Sequence, residues 1–130
     1  MAGDNIPEDL RYTKDHEWVR LEGDVATIGI TDYAQDALTD VVYVELPDTG
    51  AKFDDHASLG VVESVKSVSD IFAPFAGEVV AANETLGDNP ELLNDDPYGE
   101  GWYCKMKPDD LGVIADLLDA AAYRKFLTEG

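Results

Sequence analysis

Apolar residues along this chain recur mostly in short alternating or β-branched runs, separated by Gly, Pro, Asn and Asp. Glu17-Trp18-Val19-Arg20-Leu21 and Val25-Ala26-Thr27-Ile28-Gly29-Ile30 flank Glu22-Gly23-Asp24, which predicts a hairpin with a Gly-containing turn. Thr31-Asp32 offers an N-cap for a short helix through Tyr33, Ala34 and Leu38. Val41-Val42-Tyr43-Val44-Glu45-Leu46 reads as a strand stopped by Pro47 and Gly50, and further strands are expected near 58–65, 71–73, 77–82 and 102–107. Residues 86–101 read as a long loop with Leu92-Leu93 tucked inward. After Pro108, Asp109 can cap a helix on which Leu111, Ile114, Leu117 and Leu118 recur, and a second short helix over 120–127 closes the pattern.

At 130 residues the chain is expected to be one domain, 1–130, with its core at about 7–127. No apolar stretch approaches the roughly 20 residues that cross a bilayer. The start, Met1-Ala2-Gly3-Asp4-Asn5, lacks a basic segment before an apolar one, so no secretory signal is expected. Cys104 is the single cysteine, which rules out an intramolecular disulfide and suits a reducing compartment. With 28 acidic against 9 basic side chains the formal charge is −19, which argues against nucleic acid or an anionic membrane and for positively charged protein partners. Scarce lysine and abundant aspartate also suit a high-salt interior, an idea checked by whether thermal stability climbs with molar potassium chloride.

That charge makes one residue stand out. Between Lys52 and Lys105, Lys66 is the only permanently cationic side chain, set in Gly60-Val61-Val62-Glu63-Ser64-Val65-Lys66-Ser67-Val68-Ser69-Asp70. A nucleophilic lysine needs its pKa lowered by desolvation or a neighbouring cation, whereas nearby carboxylates keep an ammonium protonated. A solvated lysine guarding a strand edge and an amine presented for acylation by another enzyme are the two readings that composition leaves open. Val65-Lys66-Ser67 offers none of the residues that tight two-residue hairpins favour, so periodicity alone also allows one long strand here.

The segment Val62 to Pro74 followed by Ala76-Gly77-Glu78-Val79 resembles the lipoyl-attachment signature of the glycine cleavage system H protein family. His16-Glu17-Trp18-Val19, Gly29-Ile30-Thr31-Asp32-Tyr33-Ala34-Gln35 and the run from Pro90 to Trp102 resemble further blocks of it, in order, from about Pro7 to Leu127. Biotin carriers show methionines beside the lysine and lipoyl domains of 2-oxo-acid dehydrogenases read more like Asp-Lys-Ala, neither of which fits. The resemblance implies a mainly β fold, a flattened barrel of two antiparallel sheets (a barrel-sandwich hybrid) with short peripheral and C-terminal helices. It implies lipoate in amide linkage on Lys66, in a recognition motif of Glu63, Ser64, Val65 and Ser67. Glu17 and Asp70 fall where the family holds the amine of the aminomethyl cargo; otherwise they read as a solvated strand carboxylate and a turn residue.

The implied role is a non-catalytic carrier. It takes an aminomethyl group from glycine decarboxylase (P protein) to a tetrahydrofolate-dependent aminomethyltransferase (T protein), and dihydrolipoyl dehydrogenase (L protein) reoxidises it. Lipoate ligase or octanoyl transferase installs the group. A monomer in a prokaryotic cytoplasm is expected, a mature mitochondrial matrix form being the other setting. The alternatives are a lipoate-relay carrier serving other complexes, separable by glycine–bicarbonate exchange, and an enzyme using Lys66 or Cys104 as nucleophile, separable by turnover without partners. His16 and His56 lack ligand-spaced neighbours, so no metal is expected. Cys104, Trp102 and Met106 are assigned to one strand face, with Tyr103, Lys105 and Lys107 on the other. Trp18 and Trp102 read as core anchors. Thr39, where the family commonly has glycine, and Ala37, where some members have histidine, depart from the pattern.

Overall fold

The computed structural model describes residues 5–129; residues 1–4, where the expectation of no leader falls, lie outside them. Strands β1 (Arg11–Tyr12), β2 (Glu17–Glu22) and β3 (Val25–Ile30) lead into helix α1 (Asp32–Leu38). Then come β4 (Val41–Val44), β5 (Lys52–Phe53), β6 (Ser58–Ser64), β7 (Val68–Phe72) and β8 (Gly77–Ala82). Two helical turns, α2 (Thr85–Asp88) and α3 (Leu92–Asp95), precede β9 (Cys104–Pro108), a 3-10 helix (Leu111–Asp116) and α4 (Ala120–Glu129).

The strands form a large antiparallel sheet in the order β1-β2-β3-β9-β8-β5 and a small one in the order β4-β6-β7. This is the expected barrel-sandwich of two sheets with peripheral helices, and the sheets do not close into a continuous barrel. The predicted hairpin pairs Glu22 with Val25, and Gly23 takes the positive φ of 68° that its turn requires.

Alternation along β2 decides what each side chain meets. Val19 faces the main core between the sheets, among Ile28, Val62, Ile71 and Met106. Trp18 turns the other way, into a second cluster of Tyr12, Ala120 and Tyr123 sealed by α4. Its indole lies over Gly29, where an added Cβ would sit 2.5 Å from the ring, and its Nε1 donates to the Pro97 carbonyl at 2.9 Å. Each such side chain stabilises the fold by roughly 2 kcal/mol through burial. Glu17, two residues before Val19, is thereby aimed into the space between the sheets at its open end.

Several expectations need correction. The 86–101 loop contains α2 and α3, whose Leu86 and Leu93 are fully buried. The helix after Pro108 is a 3-10 helix that starts one residue later than expected, at Leu111, so its cap is Asp110, whose side chain accepts from the Gly112 N–H, while the Asp109 N–H pairs with the Ala76 carbonyl. Tyr103 precedes β9, so alternation does not govern it: it is buried alongside Cys104 and Met106, its hydroxyl donating to the Glu45 carbonyl. Trp102 is only half-buried, so Trp18 alone is a full core anchor. Among the described residues no helix is long and apolar enough to cross a membrane, and no cluster of three metal-ligating side chains occurs.

Candidate functional site

Lys66 stands at the tip of the β6–β7 hairpin, whose strands pair from Glu63 with Val68 back to Ser58 with Phe72. The turn that sequence could not establish closes without glycine, since none of its residues takes a positive φ. Instead the Ser64 N–H donates to the Ser67 carbonyl at 2.8 Å, while the Ser64 hydroxyl oxygen accepts from the N–H groups of Lys66 (3.2 Å) and Ser67 (3.0 Å). A serine side chain thus does locally what Asn-Gly does elsewhere. Val65 and Val68 beside it are 69% and 62% exposed, so the hairpin presents an apolar collar.

The Lys66 ammonium pairs with no carboxylate among the described residues, contrary to the reading of its acidic neighbourhood. Its Nζ donates to the Ala37 carbonyl, at 3.1 Å, near the C-terminal end of α1. A cation is favoured at that end of a helix. The helix end is itself strained: Thr39, the residue departing from the family's glycine, sits at φ 64° and ψ −146°, a region that side chains avoid. Asn94 of α3 pins it, donating to the Thr39 carbonyl at 2.7 Å and accepting from the Val41 N–H at 2.9 Å.

Ala37 and Ser67 lie on the rim of a cavity of about 250 Å³. Its walls include apolar Ile30, Leu38, Val62 and Ile71, and both carboxylates singled out from sequence, Glu17 and Asp70, line it. Asp15 does too.

Glu17 is not the solvated strand carboxylate of the bland reading. It is 2% exposed, accepts the Thr13 hydroxyl at Oε1 (2.7 Å) and accepts the Phe72 N–H at Oε2 (3.0 Å), stitching the two sheets together. Burial pushes its carboxyl up to about 7, against the opposing pull of those two hydrogen bonds. Each oxygen keeps a lone pair for a cation entering the cavity. Asp70 is exposed, and its Oδ1 accepts the Ser58 hydroxyl at 3.2 Å.

The residues that set Glu17 escaped the sequence reading. Thr13 accepts the N–H groups of Asp15 and Glu17 while donating to the Glu17 carboxylate, forming a tight turn with His16 at φ 68°. A threonine four residues before a strand glutamate was the available signal. His16, which the sequence offers as part of the His-Glu-Trp block and as a poor metal-ligand candidate, lines the cavity with its ring tilted against Tyr33 at 4.6 Å, and burial lowers its pKa. Cys104 is buried, and desolvation pushes its thiol up to about 12, which leaves it inert as a nucleophile.

Residues 10–130 match the family model described as Glycine cleavage H-protein. A glycine cleavage system H protein of Thermus thermophilus is 56% identical over 123 residues, covering 95% of this chain and 96% of that protein. One from Chlorobium phaeobacteroides is 57% identical over 125 residues, with 95% and 98% covered. The crystal structure of a glycine cleavage system H protein from Mycobacterium marinum superposes with a TM-score of 0.87 at 39% identity, covering 95% of this chain and 99% of that one.

Proposed function

The chain belongs to the glycine cleavage H-protein family, and from that premise we propose that Lys66 carries lipoate in amide linkage and that the cavity beside it shelters the loaded arm. The protein is a lipoyl carrier of the glycine cleavage system, here read as one carrier domain over 1–130. Lipoate, when attached, supplies a disulfide that takes up the aminomethyl group and a dithiol that is reoxidised afterwards.

The chain's residues suit that group. Lys66 is exposed at a hairpin tip, open to a modifying enzyme that reads Glu63, Ser64, Val65 and Ser67. Its Nζ already points across the cavity rim at the Ala37 carbonyl, so an amide N–H at the same atom can keep that hydrogen bond and direct the arm inward. Ile30, Leu38, Val62 and Ile71 offer an apolar surface for an alkyl chain. Glu17 and Asp70 can accept charge-assisted hydrogen bonds from the protonated amine of the cargo. An incoming ammonium favours ionised Glu17, so the carboxyl loses its proton as the cargo docks. Exclusion of water by the cavity then slows hydrolysis of the cargo.

The single observation carrying this reading is the placement of the Lys66 amine on the rim of a cavity walled by Glu17 and Asp70. Glycine decarboxylase would load the arm, the aminomethyltransferase unload it and dihydrolipoyl dehydrogenase reoxidise it, after lipoate ligase or octanoyl transferase has installed it. The bacterial relatives fit a cytoplasmic setting. Intact mass after incubation with lipoate ligase, lipoate and ATP tests the assignment: one lipoyl addition to the parent and none to Lys66→Arg. No addition to folded parent protein would end this reading.

A further inference from the structure

The C-terminal helix reaches the cavity walls through one side chain. Tyr123 of α4 is fully buried, its ring stacked on Tyr12 with centroids 4.7 Å apart and planes within 5°. Its hydroxyl lies 2.8 Å from Nδ1 of His16 and 2.8 Å from Oγ1 of Thr31. His16 lines the cavity next to Glu17. Thr31 caps α1 by accepting from the Ala34 N–H, and α1 supplies the opposite wall through Tyr33, Ala34 and Ala37. One hydroxyl therefore joins the turn that carries Glu17 to the helix whose carbonyl receives the Lys66 ammonium.

We propose that Tyr123 is a positioning residue for the arm cleft, fixing its two walls relative to each other from outside the cavity. This rests on the reading of that cavity as the shelter of the loaded arm. His16 holds a left-handed φ of 68°, a conformation that persists only where surroundings determine it. Burial favours its neutral ring, so Nδ1 can accept the Tyr123 O–H. The Thr31 O–H then donates to the Tyr123 oxygen, and the Thr31 oxygen stays available to the Ala34 N–H. With every member satisfied the network is rigid; without the phenol oxygen, His16 Nδ1 and the Thr31 hydroxyl lose their shared partner. Among the described residues the rings of Tyr33 at 4.6 Å and Phe126 at 5.9 Å also pack near the imidazole, setting its location more than its rotation.

The experiment compares release of ammonia and formaldehyde from the lipoylated, aminomethyl-loaded parent, Tyr123→Phe and Tyr103→Phe. Tyr103 also donates its hydroxyl to a carbonyl from a buried position, but does not line the arm cavity. Lipoylation of Lys66, followed by mass, reports that each variant is folded. Release is expected to accelerate about fivefold in Tyr123→Phe, the scale of one neutral hydrogen bond, and to stay at the parent rate in Tyr103→Phe. The His16 Nδ1 nitrogen resonance should shift in Tyr123→Phe alone. Equal release from parent and Tyr123→Phe, or equal acceleration in both phenylalanine variants, overturns the proposal. Release from the parent as fast as from a free lipoyl-lysine amide would remove the sheltering reading, and this inference with it.

Discussion

The two sides of the cavity beside Lys66 are built in opposite ways. On the Lys66 side the hairpin is exposed and closed by serine hydrogen bonds with no residue at positive φ, and it displays its lysine between two exposed valines. On the Glu17 side the carboxylate is buried, doubly hydrogen-bonded and set on a turn with His16 in the left-handed region. Under the proposed function the difference separates two tasks. An attachment point has to be reached by other enzymes, so exposure serves it. A group that holds a cation is strengthened by desolvation, at the cost of a carboxyl that resists ionisation while the cavity is empty.

The largest effect is expected on the exposed side. Lys66→Arg keeps the charge and removes the acylable amine, so lipoylation by mass and glycine–bicarbonate exchange with glycine decarboxylase should both be lost entirely, with the fold intact by circular dichroism.

On the buried side Glu17→Gln should speed cargo release by tenfold or more, the scale of a charge-assisted hydrogen bond. Lipoylation should persist. Its stability signature has a defined sign. Below about 4.5 the carboxyl is protonated in both folded and unfolded chains, whereas between 4.5 and about 7 only the folded chain keeps the proton. Glu17 therefore stabilises the fold least above about 7, and the parent loses roughly 3 kcal/mol from this group as pH rises through that window. Urea melts at pH 5 and pH 8 should show that fall in the parent and its absence, by difference, in Glu17→Gln.

Asp70→Asn should speed release only severalfold, and added salt should narrow the gap between parent and variant, because an exposed charge is screened where a buried one is not. Smallest of all, Thr39→Gly should raise stability by about 1 kcal/mol in urea melts by relieving the backbone at φ 64°.

What sequence made legible follows the same division. Strand alternation and the Gly23 turn are local signals, and β2, β3, β6 and β8 lie where they were expected. The Lys66 hairpin was legible through resemblance only, because a turn closed by a serine hydroxyl carries no glycine to announce it. Glu17 and Asp70 likewise came from motif position; that one is buried and the other exposed depends on which sheet face stands opposite, a contact between Glu17 and Phe72 across 55 residues. Two-residue strands such as β1 and β5 are too short to show a period. Asn94 and Tyr123 act through hydrogen bonds that span 55 and 92 residues, which no window of sequence displays, whereas the Thr13 bond to Glu17 lies within one turn.

The decisive measurement is the rate at which ammonia and formaldehyde leave the loaded protein when both carboxylates are neutralised. The Glu17→Gln, Asp70→Asn double variant should take up lipoate like the parent and release its cargo at least tenfold faster. Release at the parent rate from the lipoylated, loaded double variant would contradict the claim that these two carboxylates hold the arm.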